Sequence, residues 1–147
     1  MKTNQLTIEF SSLPENLSFA RVAVASFASQ LDFTLDDIEE IKVIVSEAVS
    51  NAIIHGYNNS PREVVKIYVQ IYNNTLTLIV EDNGKGIEDI AKALEPTYST
   101  DPERMGLGFV FMQSFSESMN VESKPGKGTR VTLVKKKGIK QKAVNSH

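Results

Sequence analysis

Two short segments alternate apolar and polar side chains around a polar break, and this pattern constrains the fold more than any other part of the chain. The alternation covers residues 65–71 and 76–80, and Asn73-Asn74 separates the two. A period of two predicts strands that bury one face, and two such strands joined by a short break predict a β-hairpin. Further alternation at residues 6–10 and 131–133 predicts strands near both ends of the chain. The apolar face of such a sheet requires a second layer to cover it.

Apolar residues with a helical period predict the helices that form this second layer. Apolar residues at 17–31 recur at spacings of three and four, and Ser12 with Glu15 has the capping-box pattern that predicts a helix start. A second stripe at 38–52 follows Thr34, which is a strong helix-capping residue. The later elements are a short helical piece at 88–94, a polar segment at 96–105, a helix opened by Gly106, and two strands.

This order of elements predicts an α+β fold. We expect a two-layer α/β sandwich in which helices cover one face of a mixed, mostly antiparallel sheet. A length of 147 residues corresponds to about one domain, and we expect it to span residues 1–134. The lysine-rich segment 135–147 has no apolar period, so we expect a mobile basic tail there.

Charge and composition exclude several classes of function. The 16 basic residues include five lysines at 135–142, so residues 1–134 hold 11 basic against all 18 acidic residues. Such an acidic body is not typical of a nucleic-acid binder. The absence of cysteine excludes disulfides and thiolate metal sites and fits a reducing cytoplasm. No apolar run is long enough for a membrane span or a signal peptide.

Three polar side chains share one edge of the second predicted helix. Glu47, Asn51 and His55 recur every four residues, so they lie beside its apolar stripe. An amide oxygen is a suitable ligand for Mg²⁺, and a carboxylate one turn away can accept a proton. By itself, however, this spacing is more often found on an ordinary solvated helix edge.

A glycine-containing acidic turn follows the second strand of the hairpin. In Asp82-Asn83-Gly84-Lys85-Gly86, the glycines let the backbone approach a flat ring, and the carboxylate can accept a hydrogen bond from an exocyclic amine. Asp-Asn-Gly is also a strong signal for a plain turn.

A second glycine pair opens the last predicted helix. Gly106-Leu107-Gly108-Phe109 places free backbone N–H groups and the positive end of the helix dipole where a phosphate can bind. The segment lacks the P-loop pattern and the third glycine of the dinucleotide fingerprint, so neither of those sites is predicted.

In combination, the three segments resemble a known superfamily. Glu47-x-x-x-Asn51, Asp82-x-Gly84-x-Gly86 and Gly106-x-Gly108 are similar to the N box and the two glycine boxes of the GHKL (Bergerat) ATP-binding fold. Within it, the stretch from Ser46 to Tyr57, together with Ser18-Phe19-Ala20-Arg21, resembles the anti-sigma F factor family of endospore-forming bacteria.

The resemblance implies a role for each matched residue. Asn51 is expected to ligate Mg²⁺ and Glu47 to act as the catalytic base. Asp82 is expected to accept from the adenine amine, with Gly86 under the ring and Thr129 completing the pocket. Arg104, in a lid at residues 96–105, is expected to bind the β and γ phosphates. The remaining nucleotide-binding positions implied are His55, Gly84, Gly106, Leu107, Gly108 and Phe109.

The resemblance also implies a function and partners. It indicates an ATP/ADP-binding, Mg²⁺-dependent protein serine kinase that binds a sigma factor of the F type and phosphorylates its anti-anti-sigma antagonist. Arg21 is expected to grip both partners, and a cytoplasmic homodimer is expected, with no nucleic-acid or membrane partner. Two alternatives stay open: a nucleotide-sensing sigma-binding module without catalysis, and a stress-response relative acting on a different sigma factor.

Overall fold

The computed structural model describes residues 2–95 and 105–137. Nine helices and strands follow one another in this part of the chain, together with a π-helical turn at Ala52–Gly56. Their bounds are β1 (Asn4–Ser11), α1 (Asn16–Ala28), α2 (Leu35–Asn51), β2 (Val64–Tyr72), β3 (Thr75–Asp82), α3 (Ile90–Ala93), α4 (Met105–Ser114), β4 (Ser118–Lys124) and β5 (Gly128–Lys136).

The five described strands form one sheet in the order β1-β2-β3-β5-β4. All four neighbouring pairs are antiparallel, so the expected mixed sheet has no parallel pair among these strands. The predicted hairpin is confirmed, since β2 pairs with β3 across Asn73 and Asn74. These two residues have φ values of 54° and 61°, as the two-residue turn that matches strand twist requires.

Helices cover one face of the sheet, which confirms the two-layer α+β architecture. Every second residue of β2, of β3 and of β5 from Val131 onward is buried, and the apolar side chains among them form one core with the apolar stripes of α1, α2 and α4. The buried members include Val24, Ile41, Val45, Ile67, Leu78, Met112 and Leu133. None of the helices in the described ranges is long and apolar enough to cross a bilayer.

Of the two helix starts predicted from capping residues, the one at Thr34 is confirmed and the one at Ser12 is wrong. Thr34 does cap α2: its hydroxyl accepts from the Asp37 N–H at 3.0 Å, and the Asp37 carboxylate accepts from the Thr34 N–H at 3.2 Å. The capping box predicted at Ser12 and Glu15 is wrong, because the Ser12 hydroxyl donates to the Ser60 carbonyl at 2.6 Å and no side chain caps α1. Ser12 instead ties the end of β1 to the loop before β2.

The predicted tail begins too early in the sequence. Strand β5 continues to Lys136, and Lys135 is buried at 5% exposure. The Lys135 ammonium donates to Glu40 at 2.7 Å and to the Phe115 carbonyl at 2.9 Å, and lies 3.8 Å from Asp37. The boundary predicted after residue 134 is therefore corrected, since a paired lysine can be buried. Residues 138–147 lie outside the described part of the chain.

Candidate functional site

Two adjoining clefts lie on either side of the C-terminal end of α2. The first is narrow and reaches from α2 to the ends of β3 and β5, with Asp82 and Thr129 in its wall. The second is wider and lies between α2 and α4, with Glu47 and Gly108 in its wall. Asn51 and His55 line both clefts. The two clefts therefore meet at this edge of α2.

Asp82 is the buried carboxylate of the first cleft. It ends β3 opposite Thr129 of β5 and is only 8% exposed, and its Oδ1 accepts the N–H of Gly84 at 2.8 Å. Burial raises the pKa of Asp82 to about 6, although the backbone N–H groups of Gly84 and Thr129 act in the opposite direction. The rest of the wall is largely apolar and includes Val80, Ile87, Met105 and Phe109. One carboxylate in an apolar cleft suits a flat base that carries an amino group.

Glu47 and Asn51 face the second cleft across a glycine. A Cβ atom on Gly108 would lie 2.7 Å from Oε1 of Glu47 and 3.8 Å from Nδ2 of Asn51, so only glycine leaves this space open. Burial raises the pKa of Glu47 above its ordinary value, which makes this carboxylate a better proton acceptor. The structure thus places a candidate base and an amide around one gap.

The Asn51 amide is the observation that tests whether a metal-bound nucleotide fits here. Its Nδ2 is buried and has no hydrogen-bond partner among the described residues. An unsatisfied buried polar group costs about 1–3 kcal/mol, so a polar ligand would relieve a cost that the protein otherwise carries. Within residues 2–95 and 105–137 no three His, Cys, Asp or Glu side chains cluster as a metal site. The Nδ2 group can donate to a phosphate oxygen but cannot ligate a cation, so Mg²⁺ would be held by the other amide atom, Oδ1, with phosphate and water oxygens completing its coordination.

The glycine pair lies inside the first turn of α4 rather than in the loop before it. Gly106 is buried against the carbonyl of Glu95, Leu107 is about one third exposed, and Phe109 is part of the core. The first N–H groups of a ten-residue helix have no partner within the helix, and two of these residues, Leu107 and Gly108, line the second cleft. Arg104, predicted to bind phosphate beside them, and residues 96–104 of the predicted lid lie outside the described residues.

The Asp82 turn packs directly on the end of the π-helical turn. A Cβ on Gly56 would lie 2.8 Å from the Asp82 carboxylate, and a Cβ on Gly84 would overlap the carbonyl of Gly56. Gly84 therefore contacts protein backbone, whereas Gly86 lines the first cleft. Close backbone approach explains both Gly56 and Gly84 without reference to a ligand.

Arg21 lies apart from this site. It is exposed on α1 and lines neither cleft. The structure therefore groups Glu47, Asn51 and His55 with the two glycine segments and Thr129, and leaves Arg21 on another surface.

Two residues missed by the sequence reasoning support the cleft. Ser123 of β4 accepts from the Ile87 N–H at 2.8 Å and is hydrogen-bonded to the Thr129 hydroxyl at 2.8 Å. No local pattern marks Ser123. Tyr57 accepts from the N–H of Asn83 at 2.7 Å, and its only sequence signal is that it follows His55-Gly56 directly.

Comparison with known proteins gives concordant matches. Residues 10–135 match the histidine kinase-like ATPase domain family. A protein named anti-sigma F factor from Clostridium botulinum (strain Eklund 17B / Type B) is 50% identical over 141 residues, which cover 95% of this chain and 99% of that protein. Proteins of the same name from Anoxybacillus flavithermus (strain DSM 21510 / WK1) and Geobacillus kaustophilus (strain HTA426) are 51% and 50% identical over 134 and 143 residues. These matches cover 90% and 96% of this chain, and 92% and 97% of the relatives.

Solved structures share the fold at lower identity. The crystal structure of the RsbU and RsbW domains of Rv1364c from Mycobacterium tuberculosis matches with a TM-score of 0.62 at 19% identity, over 90% of this chain and 32% of that one. The histidine kinase domain of a blue-light activated histidine kinase from Erythrobacter litoralis EL346 matches with a TM-score of 0.58 at 19% identity, over 89% and 65% of the two chains. This chain thus spans only part of both structures, and at this identity the likeness concerns the fold.

Proposed function

The chain belongs to the anti-sigma F factor family, within the histidine kinase-like ATPase domain family, and on that basis we propose that it is an ATP-dependent protein serine kinase that holds a sigma factor. The proposed partners are a sigma factor of the F type and an anti-anti-sigma antagonist, which the kinase phosphorylates on serine. The names of relatives about 50% identical over nearly the whole chain support the sigma-factor partner.

One observation carries the nucleotide part of the proposal: the buried Asp82 carboxylate and the Glu47–Asn51 pair line two clefts that adjoin at Asn51. An adenine base in the first cleft would donate its amino N–H to Asp82, above Gly86 and beside Thr129. The phosphates would then extend past Asn51 and His55 into the second cleft. There the N–H groups of Gly106, Leu107 and Gly108, together with Arg104, would bind the β and γ phosphates.

The transfer step needs only positioning and charge neutralisation from this chain. Glu47 would take the proton from the serine hydroxyl while the hydroxyl oxygen bonds to the γ-phosphorus. The bond from that phosphorus to the β–γ bridging oxygen breaks, and ADP leaves. Mg²⁺, held by Asn51 and the phosphates, would neutralise charge on the transferring group. General-base assistance of this kind is worth about 10²–10⁴ in rate.

We place partner binding on α1. Phe19 at 57% and Val22 at 62% exposure lie one turn apart on the surface of this helix, where Arg21 is also exposed. Exposed apolar side chains and an arginine on one helix are features of a protein contact surface. A homodimer is part of the proposal and follows from the family resemblance.

Titration of Mg·ATP into the wild-type protein and the Asp82→Asn variant tests the nucleotide site. We expect the wild type to bind and the variant to lose at least about tenfold in affinity, because the amide nitrogen cannot accept from the adenine amine. Asp32→Asn is the matched control, since that side chain is 94% exposed and lines neither cleft. The proposal would be refuted if the folded wild-type protein binds neither ATP nor ADP at millimolar concentration.

Label transfer from ATP to a serine of the antagonist tests catalysis. Glu47→Gln should slow transfer by about 10²–10⁴ while ATP binding is retained. If the wild type binds ATP but transfers no label, the protein is a nucleotide-sensing module rather than a kinase. Pull-down with purified sigma factors distinguishes the F-type partner from a stress-response sigma factor.

A further inference from the structure

The side chain of Tyr57 joins the Asp82 turn to the start of β2. Its hydroxyl accepts the backbone N–H of Asn83 at 2.7 Å and donates to the carbonyl of Val64 at 2.6 Å. Burial raises the pKa of Tyr57 above its ordinary value of 10.0, so the hydroxyl keeps the proton that it donates. Asn83 directly follows Asp82, and this bond therefore acts on the residue next to the buried carboxylate.

The π-helical turn places Tyr57 in this position. The Tyr57 N–H donates to the carbonyl of Ala52 at 3.0 Å, five residues back. A turn with this spacing holds one residue more than an α-helical turn, so it rotates the following residues about the helix axis. Gly56 and Tyr57 thereby meet the Asp82 turn, rather than extending the surface of α2.

The backbone of Gly56 adds two further contacts to the same turn. The Lys85 N–H donates to the Gly56 carbonyl at 2.9 Å, and the Asp82 carboxylate lies so close to Gly56 that a Cβ there would be 2.8 Å from it. The turn is thus held on the Gly56-Tyr57 pair at Asp82, Asn83 and Lys85. Of these contacts, only the one at Asn83 is made by a side chain of the pair, and Tyr57→Phe removes it together with the bond to the Val64 carbonyl.

We propose that Tyr57 is a positioning residue for base recognition: its hydroxyl fixes the Asn83 amide and so aims the Asp82 carboxylate at the exocyclic amine of the bound base. This inference rests on the proposed nucleotide site. Hydrogen bonds weaken steeply as distance and angle depart from their optimum, so a small shift of the turn reduces recognition of the amine. The phosphate contacts in the second cleft do not involve this turn.

The difference in affinity between ATP and a nucleotide without the 6-amino group distinguishes a positioning role of Tyr57 from a purely structural one. ATP carries the 6-amino donor, whereas inosine triphosphate (ITP) carries a carbonyl at the same position. A variant that is only less stable loses affinity for both nucleotides by the same factor. A variant with a misdirected Asp82 carboxylate loses affinity for ATP more than for ITP.

The experiment measures the dissociation constants of Mg·ATP and Mg·ITP for wild type, Tyr57→Phe and Tyr68→Phe. Tyr68 is the matched control, because its hydroxyl is hydrogen-bonded to Gln5 and Gln70, outside both clefts. We expect Tyr57→Phe to reduce the ITP/ATP ratio of dissociation constants by about fivefold and Tyr68→Phe to leave it unchanged. A wild-type ratio in Tyr57→Phe would overturn the inference.

Two further cases are equal binding of ATP and ITP by the wild type and a Tyr57→Phe variant that does not fold. If the wild type itself binds ATP and ITP equally, base recognition by Asp82 is wrong, and the positioning role of Tyr57 is overturned together with the proposed site. If Tyr57→Phe does not fold, amide hydrogen exchange in the wild type decides. Protection of the Asn83 N–H comparable to that of β3 supports the inference, and exchange as fast as in an exposed loop overturns it.

Discussion

The Asp82 carboxylate should make the protein less stable at neutral pH than a neutral side chain would. Burial raises its pKa from 3.8 to about 6, so between these values the folded protein binds more protons than the unfolded chain. The free energy of unfolding therefore falls as pH rises through this window and changes no further above it. Each pKa unit corresponds to about 1.4 kcal/mol, which gives a cost of about 3 kcal/mol at neutral pH.

The Asp82→Asn variant tests this magnitude. Asparagine has the same shape, cannot ionise, and can still accept the Gly84 N–H that Asp82 accepts at 2.8 Å. Urea unfolding without nucleotide, repeated from about pH 4 to pH 7.5, measures the stability difference between variant and wild type. We expect this difference to change by about 2.4 kcal/mol in favour of the variant across that range, because part of the titration already lies below pH 4.

The comparison is internally controlled, because other titrating groups contribute equally to both proteins and cancel. A flat difference for Asp82→Asn would refute the raised pKa. The expected combination of higher stability at neutral pH with weaker ATP binding would show that this site costs the fold stability.

Four other outcomes are expected. ATP affinity should fall as pH drops through about 6, because protonated Asp82 loses acceptor capacity. Calorimetric titration at a series of pH values measures this affinity, and a constant value would contradict the prediction. Thr34→Ala should lower the free energy of unfolding by about 1 kcal/mol through loss of the α2 cap, as measured in urea. Lys135→Met should lower it by roughly 3 kcal/mol, because the carboxylates of Asp37 and Glu40 lose their buried cation; a change under about 1 kcal/mol would argue against that pairing. Gly108→Ala should slow phosphotransfer at least about tenfold, because the added Cβ displaces the Glu47 carboxylate. The free energy of unfolding should stay the same or rise slightly, because alanine favours the helix more than glycine does. An unchanged kcat would speak against the role of Glu47.

Elements with a strong local period were predictable from the sequence. The β2–β3 hairpin and the Thr34 cap of α2 follow from side chains within a few positions of each other, and the structure has both. The grouping of the site was partly predictable, because Glu47 and Asn51 share a helix edge whatever the rest of the fold does. That the two glycine segments meet this edge depends on the sheet order and on the packing of α4 against α2.

The errors have a common physical cause. Ser12 has a local capping pattern, yet its hydroxyl bonds to Ser60, 48 residues away. Lys135 belongs to a run of lysines that resembles a solvated tail, yet strand pairing carries it to Glu40, 95 residues away. In both cases a distant partner outweighs a pattern that counts only near neighbours.

The sequence by itself determined the period of each element, the caps and turns made by adjacent residues, and the chemical types available to the site. Tertiary structure alone decided which of those groups become buried and what they then contact. It placed Tyr57 under the Asp82 turn, and it removed Asp82 from water far enough to raise its pKa to about 6. The physical reason is that burial and long-range hydrogen bonds depend on how the layers pack, and this information is not contained in the spacing of neighbouring residues.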